Sequence, residues 1–140
     1  MIRKIVCFVA IGLILGSTIV MAARSDTEKA AIASAEKWLR IVDKGNYRES
    51  WEESSEYFKQ AVQPDQWEQA VQAVREPLGE LISRKVKSAT YTTSLPGAPD
   101  GQYVVIKFST SFENKKSGIE TVTPRMDNDG VWRVSGYYIK

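Results

Sequence analysis

The spacing of apolar residues changes along the chain, from three or four positions in one half to two positions in the other. After Ser25, apolar side chains recur at helical spacing and form one stripe, which comprises Ala31, Ala35, Trp38, Leu39 and Val42. Ser25 and Glu28 have the spacing of a capping box, in which side chains satisfy free amides at the start of a helix. Lys44-Gly45 ends this first helix, because glycine readily adopts the left-handed conformation that closes helices.

Two more helical stretches follow. The first covers residues 48–61 and is predicted to break near Ser54-Ser55. The second begins at Pro64, since the first turn of a helix tolerates proline, and is predicted to end at Pro77-Leu78-Gly79. Its apolar stripe comprises Trp67, Val71, Val74 and Leu78.

From residue 81 onward the apolar period is close to two, which is typical of β-strands. We predict strands over residues 81–95, 119–127 and 131–139, and another whose buried face comprises Val104, Ile106, Phe108 and Phe112. Proline and glycine predict turns over residues 96–101 and 127–130, and residues 115–118 are predicted to form a further connection. In the last strand, alternation places Trp132, Val134 and Tyr138 on one face and Val131, Tyr137 and Ile139 on the other.

This order of elements predicts an α+β fold, in which N-terminal helices pack on a curved four-stranded antiparallel sheet shaped as a half-cone. The helical stripes should meet the apolar face of the sheet around Ile106, Phe108 and Trp132. Such a half-cone leaves a concavity that is either filled by side chains or open as a pocket. Pro124 lies inside the third strand and indicates an edge, a bulge or an early strand end, because proline cannot donate to a ladder.

The first 22 residues have the pattern of a secretory signal peptide. A basic start at Arg3 and Lys4 precedes the uncharged apolar run 5–15, and Val20-Met21-Ala22 offers a cleavage site. We therefore expect a periplasmic or secreted protein, with a signal peptide over residues 1–22 and a single domain over residues 23–140. The alternative is an uncleaved leader that anchors the chain to the membrane.

Cleavage changes the charge and the available chemistry. The 19 basic residues of the chain include Arg3 and Lys4, so the remainder has 17 basic and 17 acidic residues and no net charge. This balance gives no argument for a nucleic-acid partner, and the basic run 84–87 is interpreted as the solvated face of a strand. Histidine is absent and Cys7, the only cysteine, lies in the leader. Nucleophilic triads, thiol chemistry and zinc sites with imidazole or thiolate ligands are thereby excluded, and we expect no cofactor and no metal.

Several runs of the sequence closely resemble the DUF4019 family of bacterial exported proteins. They are AEKWLRIVDKGNYRESWEESSEYFKQAVQPDQW, VREPLGELISRKV, YTTSLPGAPDGQYVVIKFSTSFENK, ETVT and DGVWRVSGYYIK. The resemblance implies a fold similar in outline to the NTF2-like, cystatin-like group, and it implies no activity. Pro124 departs from the aliphatic residue expected at that strand position. Kinship with isomerases or dehydratases of that group is an analogy of fold alone.

Two kinds of site are considered. A pocket enzyme could use one carboxylate and one tyrosine, and sheet alternation could direct Glu120, Glu113, Tyr91, Tyr103 and Tyr137 inward. No spacing singles out a pair among them, so we assign no catalytic residue. The run 127–130 resembles part of a calcium loop but lacks the distant glutamate, and is interpreted as a turn.

For binding, we select residues of three kinds. Arg75 and Arg84 could tie down helix carbonyls, pair with a buried acid or bind a ligand carboxylate. Aromatic residues could line a ligand pocket, although packing explains most of the tryptophans, and the turn after the first strand could contact a partner. The complete set of candidates is Arg75, Arg84, Tyr91, Tyr103, Trp132, Pro96, Gly97, Pro99 and Asp100.

The sequence favours a non-enzymatic exported module that binds a small apolar or amphipathic ligand, or a protein partner, in the cell envelope. The alternatives are a carboxylate- and tyrosine-dependent enzyme similar to isomerases or dehydratases, and a structural subunit that dimerises through its sheet. A binder needs an open aromatic cavity, and an enzyme needs a buried acid beside a tyrosine. An assembly subunit should have a filled cavity and an exposed apolar sheet face.

Overall fold

The computed structural model describes residues 24–140. The predicted signal peptide therefore lies outside the described residues. Four helices come first, namely α1 (Asp26–Asp43), α2 (Tyr47–Glu52), α3 (Glu56–Ala61) and α4 (Pro64–Leu78). Four strands follow, namely β1 (Leu81–Thr92), β2 (Tyr103–Phe112), β3 (Lys115–Met126) and β4 (Trp132–Ile139). The strands form one antiparallel sheet in the order β1-β2-β3-β4, which confirms the predicted α+β architecture.

The helix boundaries follow the local signals of the sequence. Ser25 caps α1 by accepting a hydrogen bond from the Glu28 amide at 3.2 Å. The predicted break near residue 54 separates α2 from α3, and Ser55 caps α3 by accepting from the Phe58 amide. Gly79 ends α4 with a φ of 74°, a left-handed backbone conformation that residues other than glycine adopt only at a cost in free energy.

The second strand connection is shorter than predicted. Residues 115–118 belong to β3 and not to a loop, because β2 and β3 are joined by a tight turn at Glu113-Asn114. This turn is held by the preceding segment, since the amides of Glu113 and Asn114 donate to the carbonyls of Glu80 and Leu78. The end of α4 thus fixes the β2–β3 hairpin.

Pro124 lies within β3, a central strand, and is buried. The β3–β4 register shifts between Val122 and Pro124, so the bulge is the predicted alternative that the structure confirms. Across the shift, Val122 pairs with Tyr137 and Pro124 with Val134, which leaves one extra residue in β4. Before the shift, Trp132 and Val134 are buried on the predicted face of the last strand. After it the predicted faces are reversed, because Tyr137 packs against the core while Tyr138 is 56% exposed.

The core lies between the helices and one face of the sheet. Its buried members include Trp38 and Leu39 of α1, Trp67 of α4, and Ile106 and Phe108 of β2. The space between the layers is filled by aromatic rings, among them Trp38, Trp67, Tyr137 and Phe58 at centroid distances of 5.1 to 5.9 Å.

The predicted stripe of α4 is wrong at one position. Val74 is 48% exposed, whereas its neighbour Arg75 is 5% exposed and continues the buried row of Trp67 and Val71 at intervals of four residues. A charged side chain therefore occupies a position facing the sheet, and it requires partners there. Within residues 24–140, no helix is long and apolar enough to cross a membrane.

Candidate functional site

Six polar side chains meet at one end of the core and form what we call the ionic cluster. They come from all the layers of the fold and are Asp43 (α1), Arg75 (α4), Arg84 (β1), Thr110 (β2), Glu120 (β3) and Tyr137 (β4). Two carboxylates face two guanidinium groups, so the charges of the cluster cancel.

Arg84 is the centre of the ionic cluster. Its Nε donates to Glu120 Oε1 at 2.6 Å, and its two terminal nitrogens donate to the Asp43 carboxylate at 2.7 and 2.9 Å. The guanidinium thus joins the end of α1 to the middle of β3. This fork geometry matches what arginine offers and lysine does not.

Glu120 is fully buried, and both of its carboxylate oxygens are occupied. Oε1 accepts from Arg84 and from the Thr110 hydroxyl at 2.6 Å, and Oε2 accepts from the Tyr137 hydroxyl at 2.5 Å and from Arg84 at 3.2 Å. Four donors saturate a carboxylate. The structure therefore places a buried acid beside a tyrosine, but leaves that acid no free lone pair with which to take a substrate proton.

Arg75 joins the cluster from α4. One terminal nitrogen donates to Asp43 Oδ1 at 2.8 Å, and the guanidinium lies over the Phe112 ring at 4.9 Å. Its Nε and its other terminal nitrogen have no hydrogen-bond partner among residues 24–140. Arg75 thus pairs with the partly buried carboxylate of Asp43.

The cluster shifts the pKa of two of its members. Burial raises the pKa of the Asp43 carboxyl, but the hydrogen bonds and charges of Arg84 and Arg75 outweigh it, so the net pKa is below the ordinary value. Burial raises the pKa of the Tyr137 hydroxyl well above 10.0, and the nearby Glu120 charge raises it further. At neutral pH the cluster therefore holds an ionised Asp43 and a neutral tyrosine.

A large cleft lies elsewhere, between α1 and the start of β4, and we call it the α1–β4 cleft. Its volume is about 570 Å³. Its apolar surface comes from Ala30, Ala33, Trp38, Ile41, Val131 and Trp132, and its charged residues are Lys37, Glu53 and Arg133. Ser34 fixes one wall, because its hydroxyl donates to the Trp132 carbonyl at 2.7 Å.

The structure does not bring the predicted binding residues into one site. Arg75 and Arg84 lie in the ionic cluster, Trp132 lines the α1–β4 cleft, and Tyr91 is 42% exposed near the end of β1. Tyr103 is buried, and its hydroxyl donates to the Pro99 carbonyl at 2.6 Å. This bond anchors the predicted partner loop, whose exposed residues are Pro96, Gly97, Pro99 and Asp100.

The run 127–130 forms the turn between β3 and β4. The Asp127 carboxylate accepts from the Glu56 amide at 3.3 Å and from Arg133 at 3.0 Å, so it ties the turn to α3. Arg133 also pairs with Asp129. Among residues 24–140, no group of three or more acidic, histidine or cysteine side chains is arranged to hold a metal ion.

Sequence reasoning missed Asp43 and Thr110 as members of the ionic cluster. A usable signal existed for Asp43, which is the last residue of α1. A negative charge is unfavourable at a helix C-terminus unless a cation compensates it, so its position indicated a basic partner. Nothing in the local sequence distinguished Thr110 from the other hydroxyl residues of β2.

The chain belongs to the DUF4019 family. The family profile, described as "Protein of unknown function (DUF4019)", matches residues 34–137. Comparisons with curated proteins and with solved structures gave no significant match. The NTF2-like and cystatin-like labels accordingly remain predictions about this fold.

Proposed function

We propose that this protein is an exported, non-enzymatic module that binds a small amphipathic molecule in the α1–β4 cleft. The observation that carries the proposal is the contrast between the filled interior of the fold and this surface cleft, which two tryptophans, Trp38 and Trp132, help to line. A volume of about 570 Å³ lies in the range of small-molecule sites, which are mostly apolar with a few polar groups that orient the ligand.

The charged residues of the cleft favour a ligand with one anionic group. Arg133 is already engaged by Asp127 and Asp129, whereas none of the ion pairs within residues 24–140 involves Lys37. Glu53 also lines the cleft and repels additional negative charge. An apolar body with a single carboxylate, sulfonate or phosphate end fits this arrangement.

The ionic cluster argues against the enzyme alternative. An enzyme of the predicted kind needs Glu120 as an accessible base, and four donors occupy its oxygens. The filled interior also agrees with the assembly alternative. The outer face of the sheet is mixed, however, because Lys85 and Lys107 share it with Ile119 and the exposed Tyr138, whereas a sheet-mediated dimer needs a continuous apolar surface.

The binding proposal is tested with two fluorescent probes and a matched pair of variants. Val131→Glu places a charge in the cleft, and Val74→Glu places the same charge at an equally exposed position on α4, the two valines being 46% and 48% exposed. We expect the anionic probe anilinonaphthalene sulfonate to bind wild type and Val74→Glu at one saturable site, and Val131→Glu at least tenfold more weakly. Equal binding by both variants contradicts the proposal.

The charge preference has its own test in Lys37→Gln. This variant should weaken the anionic probe severalfold and leave the neutral probe phenylnaphthylamine unchanged. An equal loss for both probes would show that Lys37 supports the cleft without selecting an anionic ligand.

Export is tested in the host. We expect the protein recovered from the cell envelope to begin at Ala23, as judged by its intact mass, and native mass spectrometry of the same sample should show a retained small molecule. A mass that includes residues 1–22 would indicate the membrane anchor, and a bare dimer would favour the assembly subunit.

A further inference from the structure

The charges of this protein are separated by layer. The strands hold eight basic side chains, namely Arg84, Lys85, Lys87, Lys107, Lys115, Lys116, Arg125 and Arg133, and a single carboxylate, that of Glu120. The four helices hold ten acidic and six basic side chains. Because Glu120 is buried and paired, the sheet carries a positive charge that the composition of the chain hides.

The strand register places lysines on the outer face of the sheet. Lys85 pairs with Ser109 across β1 and β2, and Lys107 pairs with Thr121 across β2 and β3. Directly paired residues lie on the same face, whereas Arg84 and Phe108, one position away, face the helices. On this outer face Lys85 and Lys107 therefore lie opposite hydroxyl residues of the neighbouring strands, and Ile119 lies opposite Ser109.

One concavity collects these groups, and we call it the strand pocket. It lies where β1, β2 and β3 meet near the β2–β3 turn, has a volume of about 330 Å³, and is lined in part by Ser83, Lys85, Ser109, Ser111, Lys116 and Ser117. None of its lining residues is acidic. None of the ion pairs within residues 24–140 involves Lys85 or Lys116.

We infer that the strand pocket binds a phosphate group. Serine hydroxyls donate hydrogen bonds to phosphate oxygens, and lysine binds phosphate as a point charge, so this donor set suits a multi-oxygen anion. The absence of carboxylates from the lining removes the repulsion that such an anion meets in the α1–β4 cleft, where Glu53 is present. The phosphate can be soluble or can be the headgroup of an anionic lipid, and both present the same chemistry to the pocket.

The first test uses inorganic phosphate and backbone amide chemical shifts, with chloride at matched ionic strength as the reference. We expect saturable shifts at Ser83, Ser109, Ser111 and Ser117. The double variant Lys85→Gln/Lys116→Gln should bind phosphate at least tenfold more weakly. The control Lys29→Gln/Lys44→Gln removes the same charge from two exposed lysines of α1 and its C-cap, and should bind within twofold of wild type.

Three outcomes of this titration would overturn the inference. They are shifts that do not saturate, saturable shifts at other residues, and an equal loss in both double variants. Lys85→Arg/Lys116→Arg guards against a trivial loss through misfolding, because it retains both charges and should bind phosphate within threefold of wild type.

The second test separates the two sources of phosphate. Vesicles of phosphatidylcholine with phosphatidylglycerol should capture the protein, and inorganic phosphate should release it, if the pocket takes a lipid headgroup. Phosphate binding without vesicle capture assigns the pocket to a soluble phosphate. Vesicle capture that is reduced equally in both double variants would reflect general charge attraction and would count against a defined site.

Val131→Glu should not affect phosphate binding, which keeps this inference separate from the proposed function.

Discussion

Arg84 and Lys85 are neighbours in the chain, yet the two faces of the sheet give them opposite tasks. The Arg84 side chain is 10% exposed and donates to Asp43 and Glu120. Lys85 is exposed, and none of the ion pairs within residues 24–140 includes it. The basic residues of one strand therefore have two roles. Those that face the helices hold the two layers together, and those that face solvent remain available to a ligand.

Solvation explains the difference between the two faces. A charge removed from water is costly unless a partner and hydrogen bonds compensate it, so each member of the ionic cluster depends on the others. A charge on the outer face keeps its water and is screened by salt, so it adds little to folding. The comparison predicts large effects on stability for the inner residues and effects on binding alone for the outer ones.

The largest expected effect separates these two neighbours directly. Arg84→Ala leaves Glu120 buried beside an unfilled space, and we expect the free energy of unfolding to fall by about 3–5 kcal/mol. Lys85→Ala should change it by less than about 0.5 kcal/mol. Urea unfolding followed by circular dichroism measures both, and similar values for the two variants would refute the comparison.

The same comparison between an inward-facing and an outward-facing residue can be made in β4 with Tyr137 and Tyr138. Tyr137→Phe removes the donor to Glu120 Oε2, and because hydrogen bonds to charged groups are the stronger ones, we expect a loss of about 1.5–3 kcal/mol. Tyr138→Phe removes an exposed hydroxyl and should be nearly neutral. If Tyr138→Phe lowers the free energy of unfolding more than Tyr137→Phe does, the two tyrosines do not lie on the faces that the β4 bulge gives them.

Acid should weaken the ionic cluster through Asp43. Its folded pKa lies below the ordinary value of 3.8, so the stabilisation is present above that value and is lost as the pH falls through the folded pKa. We therefore expect the free energy of unfolding to decrease as the pH falls below about 3.8. Asp43→Asn should be less stable at neutral pH and should show a shallower acid decrease. An unchanged acid slope in that variant would exclude Asp43 as its source.

The smallest effect is expected at alkaline pH. Because the folded pKa of Tyr137 is raised, its contribution to stability is complete below the ordinary value of 10.0 and is lost as the pH rises above it. Absorbance titration should show a tyrosine ionisation that accompanies unfolding, and the contribution of Tyr137 to this step should be missing in Tyr137→Phe. A complete tyrosine titration in the folded protein would contradict the buried position.

Local signals in the sequence were sufficient for most of the fold. The serine caps of α1 and α3, the start of α4 at Pro64 and the alternation in β2 each depend on a few neighbouring residues. The faces of α4 and β4 depend on distant ones. Arg75 faces the core because Asp43 lies there, 32 residues earlier, and the bulge that turns Tyr137 inward arises from pairing with β3.

The candidate site was predicted only in part. A buried acid was one of the stated partners for Arg75 and Arg84, but the identity of that acid depends on how α1 and β3 meet. The α1–β4 cleft depends on where Val131 lies relative to α1, which no local pattern encodes. The separation of charge between helices and strands could not be inferred from the composition, because the numbers of basic and acidic residues over residues 23–140 are equal.

The aromatic packing of the core gives this protein intrinsic spectroscopic probes of its own folding. The Trp38 ring lies 5.2 Å from the Tyr137 ring and 5.9 Å from the Trp67 ring. Because Tyr137 stays neutral while it is packed against Trp38, we expect the Trp38 fluorescence to change when this contact is lost and Tyr137 becomes free to ionise. We expect the neighbouring indoles of Trp38 and Trp67 to give a near-ultraviolet dichroism that is lost when α1 and α4 separate. The state of the ionic cluster and the packing of the helices can thus be followed by spectroscopy without an attached label.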